Sequence, residues 1–252
     1  MPVIARYAFE GEKHYGLVDN ETIRELRGGL FDAPSPTGRE VALSQVKLLA
    51  PCEPPKMLAV GLNYRSHLGS RPVPQIPGIF YKPISSIQNP GDPIVIPEEA
   101  QDVHYEGELV VVIGKKITRA SREEATAAIF GVTCGNDVSD RNWQRGDGKD
   151  LQWWRAKGCD TFSPFGPYIV TGAIYGDLAL QTRLNGEVVQ SQRTSDLIFD
   201  IPEVVRFISQ WVTLVPGDLI FTGTPGETRR MKPGDVVEVE IEGVGTLRNP
   251  VA

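Results

Sequence analysis

In the stretch Asp102–Gly114, which reads as one β-strand, Glu106 and Glu108 stand two residues apart at the head of the apolar run Leu109-Val110-Val111-Val112-Ile113. The β-branched run with its terminal glycine predicts a strand, and a period of two sends both carboxylates to one face, about 7 Å apart along the chain. If partly buried, two carboxylates about 5 Å apart repel by roughly 3 kcal/mol at an effective dielectric near 20, so a cation is expected between them. Carboxylate oxygens are hard donors, which favours Mg²⁺ or Mn²⁺, with Ca²⁺ also fitting, over zinc. The same pattern fits an edge strand whose solvent face carries two glutamates, and the residues alone leave both readings open.

Other side chains with chemistry lie in separate segments. Lys56–Gly61 predicts a buried strand opening into a short polar helix, Leu62–Ser70, which carries His67. With an ordinary pKa of about 6.5, His67 is a candidate acid–base group, although a lone helix histidine is also a common structural residue. Asp137 stands at the exit of a predicted strand, Phe130–Asp137, and Ser139–Gln144 reads as a helical turn on which Arg141 and Gln144, three apart, share a face. Lys157 follows an apolar run and precedes Gly158, a context that draws its ammonium inward, where it could stabilise an enolate or a carboxylate. Asp218–Gly226 predicts a strand running into a Gly-flanked loop, with backbone N–H groups and the Thr224 hydroxyl available to an anion. Arg145–Asp150 lacks the spacing of a phosphate loop. The Trp153-Trp154 pair reads as core packing or an interface, and His14 as a surface turn residue.

The elements that must position these groups are mostly short strands. Gly (26) and Pro (20) are frequent among 252 residues, so turns are frequent too. Val3–Phe9, Tyr15–Val18 and Thr22–Leu26 read as strands of a small β-rich N-terminal module, residues 1–50. The stiff segment Pro51-Cys52-Glu53-Pro54-Pro55 marks a boundary with residues 51–252, the domain that holds all the candidate groups above and is expected to be the catalytic, metal-binding one. Ser121-Arg122-Glu123-Glu124 is a capping box for a helix to Ala128. Asn185-Gly186 marks a hairpin turn, and Asp200 caps an amphipathic helix through about Trp211. A net charge of −6 without a basic stripe argues against nucleic acid. The three scattered cysteines form neither a disulfide framework nor a zinc cluster. No apolar run is long enough for a bilayer, and the opening residues lack a signal peptide's basic and apolar regions. The expectation is a soluble, cytoplasmic protein with no membrane partner.

Taken together, the segments resemble the fumarylacetoacetate hydrolase family, which includes bacterial 2-hydroxyhepta-2,4-diene-1,7-dioate isomerases. The resemblance rests on Gly61-Leu62-Asn63-Tyr64 with His67, Phe80-Tyr81-Lys82-Pro83, Tyr105–Leu109, Asn136–Ser139, Arg141, Gln144, Lys157-Gly158, Gly166-Pro167 and Thr222–Pro225, in the family's order. It implies an α+β, mostly β fold, a mixed β-sandwich roll, and a homodimer. It also implies Mg²⁺ or Mn²⁺ held by Glu106, Glu108 and Asp137. Lys157, with Arg141, Gln144 and Thr224, would then contact a 2-oxo or diketo acid. The implied chemistry is a metal-bound enolate of a small dicarboxylic acid.

One departure bears on the reaction. Where many hydrolytic members carry a glutamate three residues after the helix histidine, this chain has Ser70, which cannot hold an imidazole as a carboxylate does. Asn142 and Asp140 also depart from the usual residues beside Arg141. Isomerisation or decarboxylation is therefore placed ahead of C–C hydrolysis, with His67 as proton shuttle. A catalytically silent relative that binds metal and carboxylate is the alternative of another class.

Overall fold

The computed structural model describes residues 1–252. The first half of the chain supplies β1 (Val3–Phe9), β2 (Glu12–Asp19), β3 (Thr22–Arg27), β4 (Ser35–Ala42), β5 (Lys47–Leu49), β6 (Met57–Gly61), β7 (Gly78–Lys82), β8 (Ile87–Gln88), β9 (Val103–His104) and β10 (Gly107–Ile113). After α1 (Arg122–Ala128) come β11 (Ile129–Asn136), β12 (Ser139–Asp140), α2 (Arg141–Arg145), α3 (Trp154–Gly158) and β13 (Ser163–Thr171). The chain closes with β14 (Ala179–Leu184), β15 (Glu187–Arg193), α4 (Ile201–Ser209), β16 (Leu219–Phe221), β17 (Val236–Ile241) and β18 (Gly245–Pro250). The result is the mostly β, α+β roll that the resemblance implies.

One large mixed sheet runs in the order β4-β3-β2-β1-β13-β11-β10-β16-β6-β7. A second sheet, β15-β14-β17-β18, lies against it. Side-chain alternation along β10 divides the core. Leu109, Val111 and Ile113 join the cluster that includes Leu180, Val239 and the inward face of α4. Val110 and Val112 join Met57, Ala59, Phe165 and Phe221 on the other side. Five fully buried aliphatic side chains contribute on the order of 10 kcal/mol, enough to hold β10 in the middle of the sheet with carboxylates at its head.

The acidic segment departs from the single strand expected over Asp102–Gly114. It forms two, β9 and β10, with Tyr105 and Glu106 between them, because β9 pairs with β12 in a separate two-stranded ladder. β10 pairs with β11 on one side and β16 on the other and is buried throughout, which rules out the edge-strand reading. Residues 1–50 form β1–β5 and share the large sheet, since β1 pairs with β13 at Val3↔Val170, Ile4↔Ile169 and Ala5↔Tyr168. His14 belongs to β2 rather than a turn; its ring stacks on Tyr7 and its Nδ1 lies 3.2 Å from Glu25. The expected helix over Leu62–Ser70 is only a 3₁₀ turn, Arg65–His67, bracketed by left-handed backbone at Leu62 (φ 57°) and Gly69 (φ 58°). The capping box at Ser121 is present, and Asp200 caps α4 over buried Val204, Val205 and Ile208.

The glycine between the two glutamates has a steric cause. A Cβ on Gly107 would fall 2.1 Å from Thr182 Oγ1 and 3.3 Å from Gln190 Oε1, on the face where β10 meets the second sheet. Only glycine lets β14 approach while the flanking carboxylates point the other way. Gly107→Ala is expected to lower Tm by on the order of 5 °C through overpacking, read by thermal circular dichroism. An unchanged Tm would contradict this close approach of the two sheets.

Candidate metal and active site

Antiparallel pairing brings the acids together. Gly107 and Asn136 are partners on β10 and β11, so Glu106 and Asp137 emerge side by side beyond the end of the ladder. There the Asp137 N–H donates to Glu106 O at 2.9 Å, and the Glu106 N–H donates to Asn136 Oδ1 at 2.8 Å. Glu108, one residue inside the ladder, turns its carboxylate to the same side. All three residues are buried, and one oxygen from each lies within 4.8 Å of the others.

Three cations answer this charge. Lys157 Nζ reaches Glu106 Oε2 at 2.5 Å and Asp137 Oδ2 at 2.6 Å. Lys82 Nζ donates to Asp137 Oδ1 at 2.5 Å and also to the Lys157 carbonyl. Arg141 Nη1 lies 2.6 Å from Glu106 Oε1. Sequence reasoning assigned no role to Lys82, although a lysine closing an apolar strand just before proline was visible. Burial pulls the Lys82 ammonium below its ordinary pKa despite Asp137, whereas for Lys157 the pull of burial is outweighed by Asp137 and Glu106. Burial raises the Glu106 carboxyl, but Lys157 and Arg141 together hold it well below the usual carboxylate range.

Glu108 is different. Its only partner is the Gly223 N–H, 2.7 Å from Oε2, and it makes no ion pair. Burial and then the charges of Asp137 and Glu106 push its carboxyl well above the usual range. Three hard oxygens converging in a buried pocket, one of them without a countercharge, fit a divalent cation that prefers oxygen ligands.

The helices are set by local capping. Asp140 caps α2 by accepting from Trp143 N at 2.9 Å, and its other oxygen accepts from the N–H groups of Gln101 and Asp102. It is thus a buried anchor beneath Arg141, while Asn142 is exposed. Asp150 accepts from Arg155 N at 2.9 Å and from the Arg155 side chain, starting the turn that carries Lys157. Of the expected substrate contacts, Gln144 Oε1 accepts from Arg141 at 2.7 Å. The Thr224 hydroxyl donates to Gly107 O at 2.9 Å and accepts from Gln190 Nε2 at 2.9 Å. Both residues line the site. The loop N–H expected to meet an anion does so, but at Gly223 and on the protein's own Glu108.

His67 is held by an unexpected partner. Its Nδ1 contacts the carbonyl of Gly226. A carbonyl only accepts, so Nδ1 carries the proton and Nε2 is the free nitrogen. Burial lowers the imidazole pKa, opposed by Glu106. The ring is thus held by a backbone carbonyl, with Ser70 three residues downstream making no bond to it.

His67, the three acids, Gln144, Lys157 and Thr224 line one cavity of about 30 Å³, closed by Leu62, Phe80, Arg145 and Trp153. That volume suits an ion or a water. Leu62 (φ 57°) and Trp153 (φ 55°) both hold left-handed backbone, strained for large side chains, at the cavity wall. The Trp pair is therefore not core: Trp153 lines the site edge-on to Phe80, and Trp154 is 67% exposed.

Three buried carboxylates, a buried lysine and a histidine with one free ring nitrogen thus gather at one end of the β roll. Comparison with known proteins gives the family. The model for the fumarylacetoacetate (FAA) hydrolase C-terminal domain matches residues 56–252, and that for the Rv2993c-like N-terminal domain matches residues 4–51. The chain belongs to the fumarylacetoacetate hydrolase family. It is 43% identical to a solved 2-hydroxyhepta-2,4-diene-1,7-dioate isomerase from Mycobacterium marinum, with a TM-score of 0.92 over 100% of this chain and 98% of that one. It is also 43% identical to the mitochondrial oxaloacetate tautomerase fahd2 of Xenopus laevis, over 82% of this chain and 69% of that protein. The maleylpyruvate hydrolase of Sphingobium, solved with manganese(II) and pyruvate, is 28% identical with a TM-score of 0.81, covering 100% of this chain and 99% of that one.

Glu108→Gln keeps the acceptor for Gly223 N–H while removing the unbalanced charge. It is expected to raise the Tm of the metal-free protein by a few degrees and to abolish Mn²⁺ binding in titration calorimetry. Undiminished Mn²⁺ affinity would remove Glu108 from the ligand set.

Proposed function

We propose that this protein is a divalent-metal-dependent enzyme that moves a proton on small 2-oxo or 2-hydroxydienoic dicarboxylic acids, as an isomerase or tautomerase. The observation that carries this reading is the pairing of His67 with a backbone carbonyl beside the three-carboxylate cluster. Glu106, Glu108 and Asp137 would hold Mg²⁺ or Mn²⁺, which when bound supplies Lewis-acid polarisation of the 2-oxo group.

The chain's own residues do the rest. His67 Nε2, unprotonated because burial lowers its pKa, accepts a proton from the carbon next to the carbonyl and returns it elsewhere on the skeleton. Lys157 balances the oxyanion that forms as that proton leaves. Arg141, Gln144 and Thr224 orient the acid's carboxylate. Phe80 and Trp153 shut out water, which favours returning the proton over attack by hydroxide. Decarboxylation of the same acids needs the same enolate and no activated water. Hydrolysis needs His67 to become and remain an imidazolium while water attacks, and a carbonyl stabilises that cation less than a carboxylate does. The names of two relatives, an isomerase and a tautomerase, agree with proton transfer. The exposed Tyr81, Ile84, Leu151 and Trp154 offer an apolar surface for the homodimer we include in this reading, with the cytoplasm as its setting.

The purified protein with Mg²⁺ is expected to speed the enol–keto conversion of oxaloacetate, followed by ultraviolet absorbance, and to cleave acylpyruvates far more slowly. His67→Gln should cost about 10²- to 10⁴-fold in kcat. In wild type the acidic limb of kcat/KM should fall below pH ~6.5, because the base works unprotonated and its pKa is lowered. Hydrolysis of acylpyruvates outrunning proton transfer would replace this reading with the hydrolase one.

A further inference from the structure

A line of polar side chains leads from the surface to Glu106 without passing through the cavity. Asp102 Oδ1 lies 2.9 Å from His104 Nε2, and Nδ1 of the same ring lies 2.9 Å from Thr228 Oγ1. Arg141 Nη2 donates to that hydroxyl at 2.6 Å, while its Nη1 reaches Glu106 at 2.6 Å and Gln144 at 2.7 Å. The chemistry of the groups fixes the order. A carboxylate accepts, so His104 carries its proton on Nε2; a guanidinium donates, so Thr228 accepts from Arg141. A neutral His104 then presents its Nδ1 lone pair to the Thr228 hydroxyl proton, and every contact in the line has one donor and one acceptor. The Asp102 side chain, 39% exposed, is the surface end of the line, while His104 and Arg141 are 15% and 9% exposed, so the inner contacts are the sheltered ones.

Arg141 is long, and only anchoring at both ends of its fork removes the rotamer freedom that would blur its aim. Glu106 and Gln144 anchor one nitrogen; Thr228 anchors the other. We propose that Asp102, His104 and Thr228 form a positioning relay that holds the Arg141 guanidinium in the orientation that receives the substrate carboxylate. This rests on the reading of Arg141 as a substrate contact. Thr228 and His104 act through Arg141 and are positioning residues.

Thr228→Val keeps the side-chain shape and deletes the hydroxyl. In the full-length protein with Mg²⁺ and oxaloacetate, it should raise KM about tenfold and leave kcat within about twofold, and Thr228→Ser should restore KM. Adding Thr228→Val to Arg141→Ala should cost nothing more, because both remove one function. Two readouts are independent of turnover. The oxalate dissociation constant, measured by calorimetry, should rise with KM, and ¹⁵N NMR of the metal-free protein should show His104 protonated on Nε2. Wild-type KM in Thr228→Val beside a raised KM in Arg141→Ala would overturn the relay and leave the substrate role of Arg141 standing. Wild-type KM in both variants would overturn that role, and the relay with it. Additive losses, or His104 protonated only on Nδ1, would overturn the relay.

Discussion

Like charges crowded into a buried space are the constraint to which the rest of this structure answers. With oxygens within 4.8 Å of one another, each carboxylate pair repels by about 3 kcal/mol at an effective dielectric near 20. Three such pairs amount to on the order of 10 kcal/mol, comparable with the whole net stability of an ordinary domain. Lys157 and Lys82 are buried beside them for that reason, and Arg141 is drawn to Glu106. The compensation is uneven: Glu106 and Asp137 have ammonium or guanidinium partners, and Glu108 has one peptide N–H.

Strand pairing makes the crowding unavoidable. The register that sets Gly107 against Asn136 delivers Glu106 and Asp137 to the same edge, and β16 on the other flank brings Gly223 to Glu108. Gly223 holds φ 108°, and a Cβ there would press 2.9 Å from Asn63, so the turn that aims its N–H at the carboxylate is open to glycine alone. Apolar packing on both faces of β10 keeps this geometry rigid.

Much of this was legible in the residues. The β-branched apolar run Leu109–Ile113 with its closing glycine marks a strand headed by paired acids, the Ser121 capping box marks α1, and the context of Lys157 marks an inward ammonium. Family resemblance supplied Asp137, since nothing in its neighbourhood says which distant strand lies beside it. What stayed hidden depends on three-dimensional proximity. Lys82 is one of many lysines until β7 places it against Asp137. The partner of His67 is a backbone carbonyl, which no residue type in the sequence marks. The split of the acidic segment into β9 and β10 followed from competition between two ladders, which local periodicity does not record.

The stretch from Thr222 to Thr228 touches nearly every working part of the site. Its hydroxyl at Thr222 bonds Leu109 O, Gly223 bonds Glu108, Gly226 bonds His67, and Thr228 bonds Arg141. Such a segment is a shared scaffold: its four residues make separate contacts, and a shift of its backbone as a whole would reach all of them. Phe80, Arg145 and Trp153, which line the same cavity, stand on other elements and make no hydrogen bond to that thread, so variation in the cavity's shape is steered toward them.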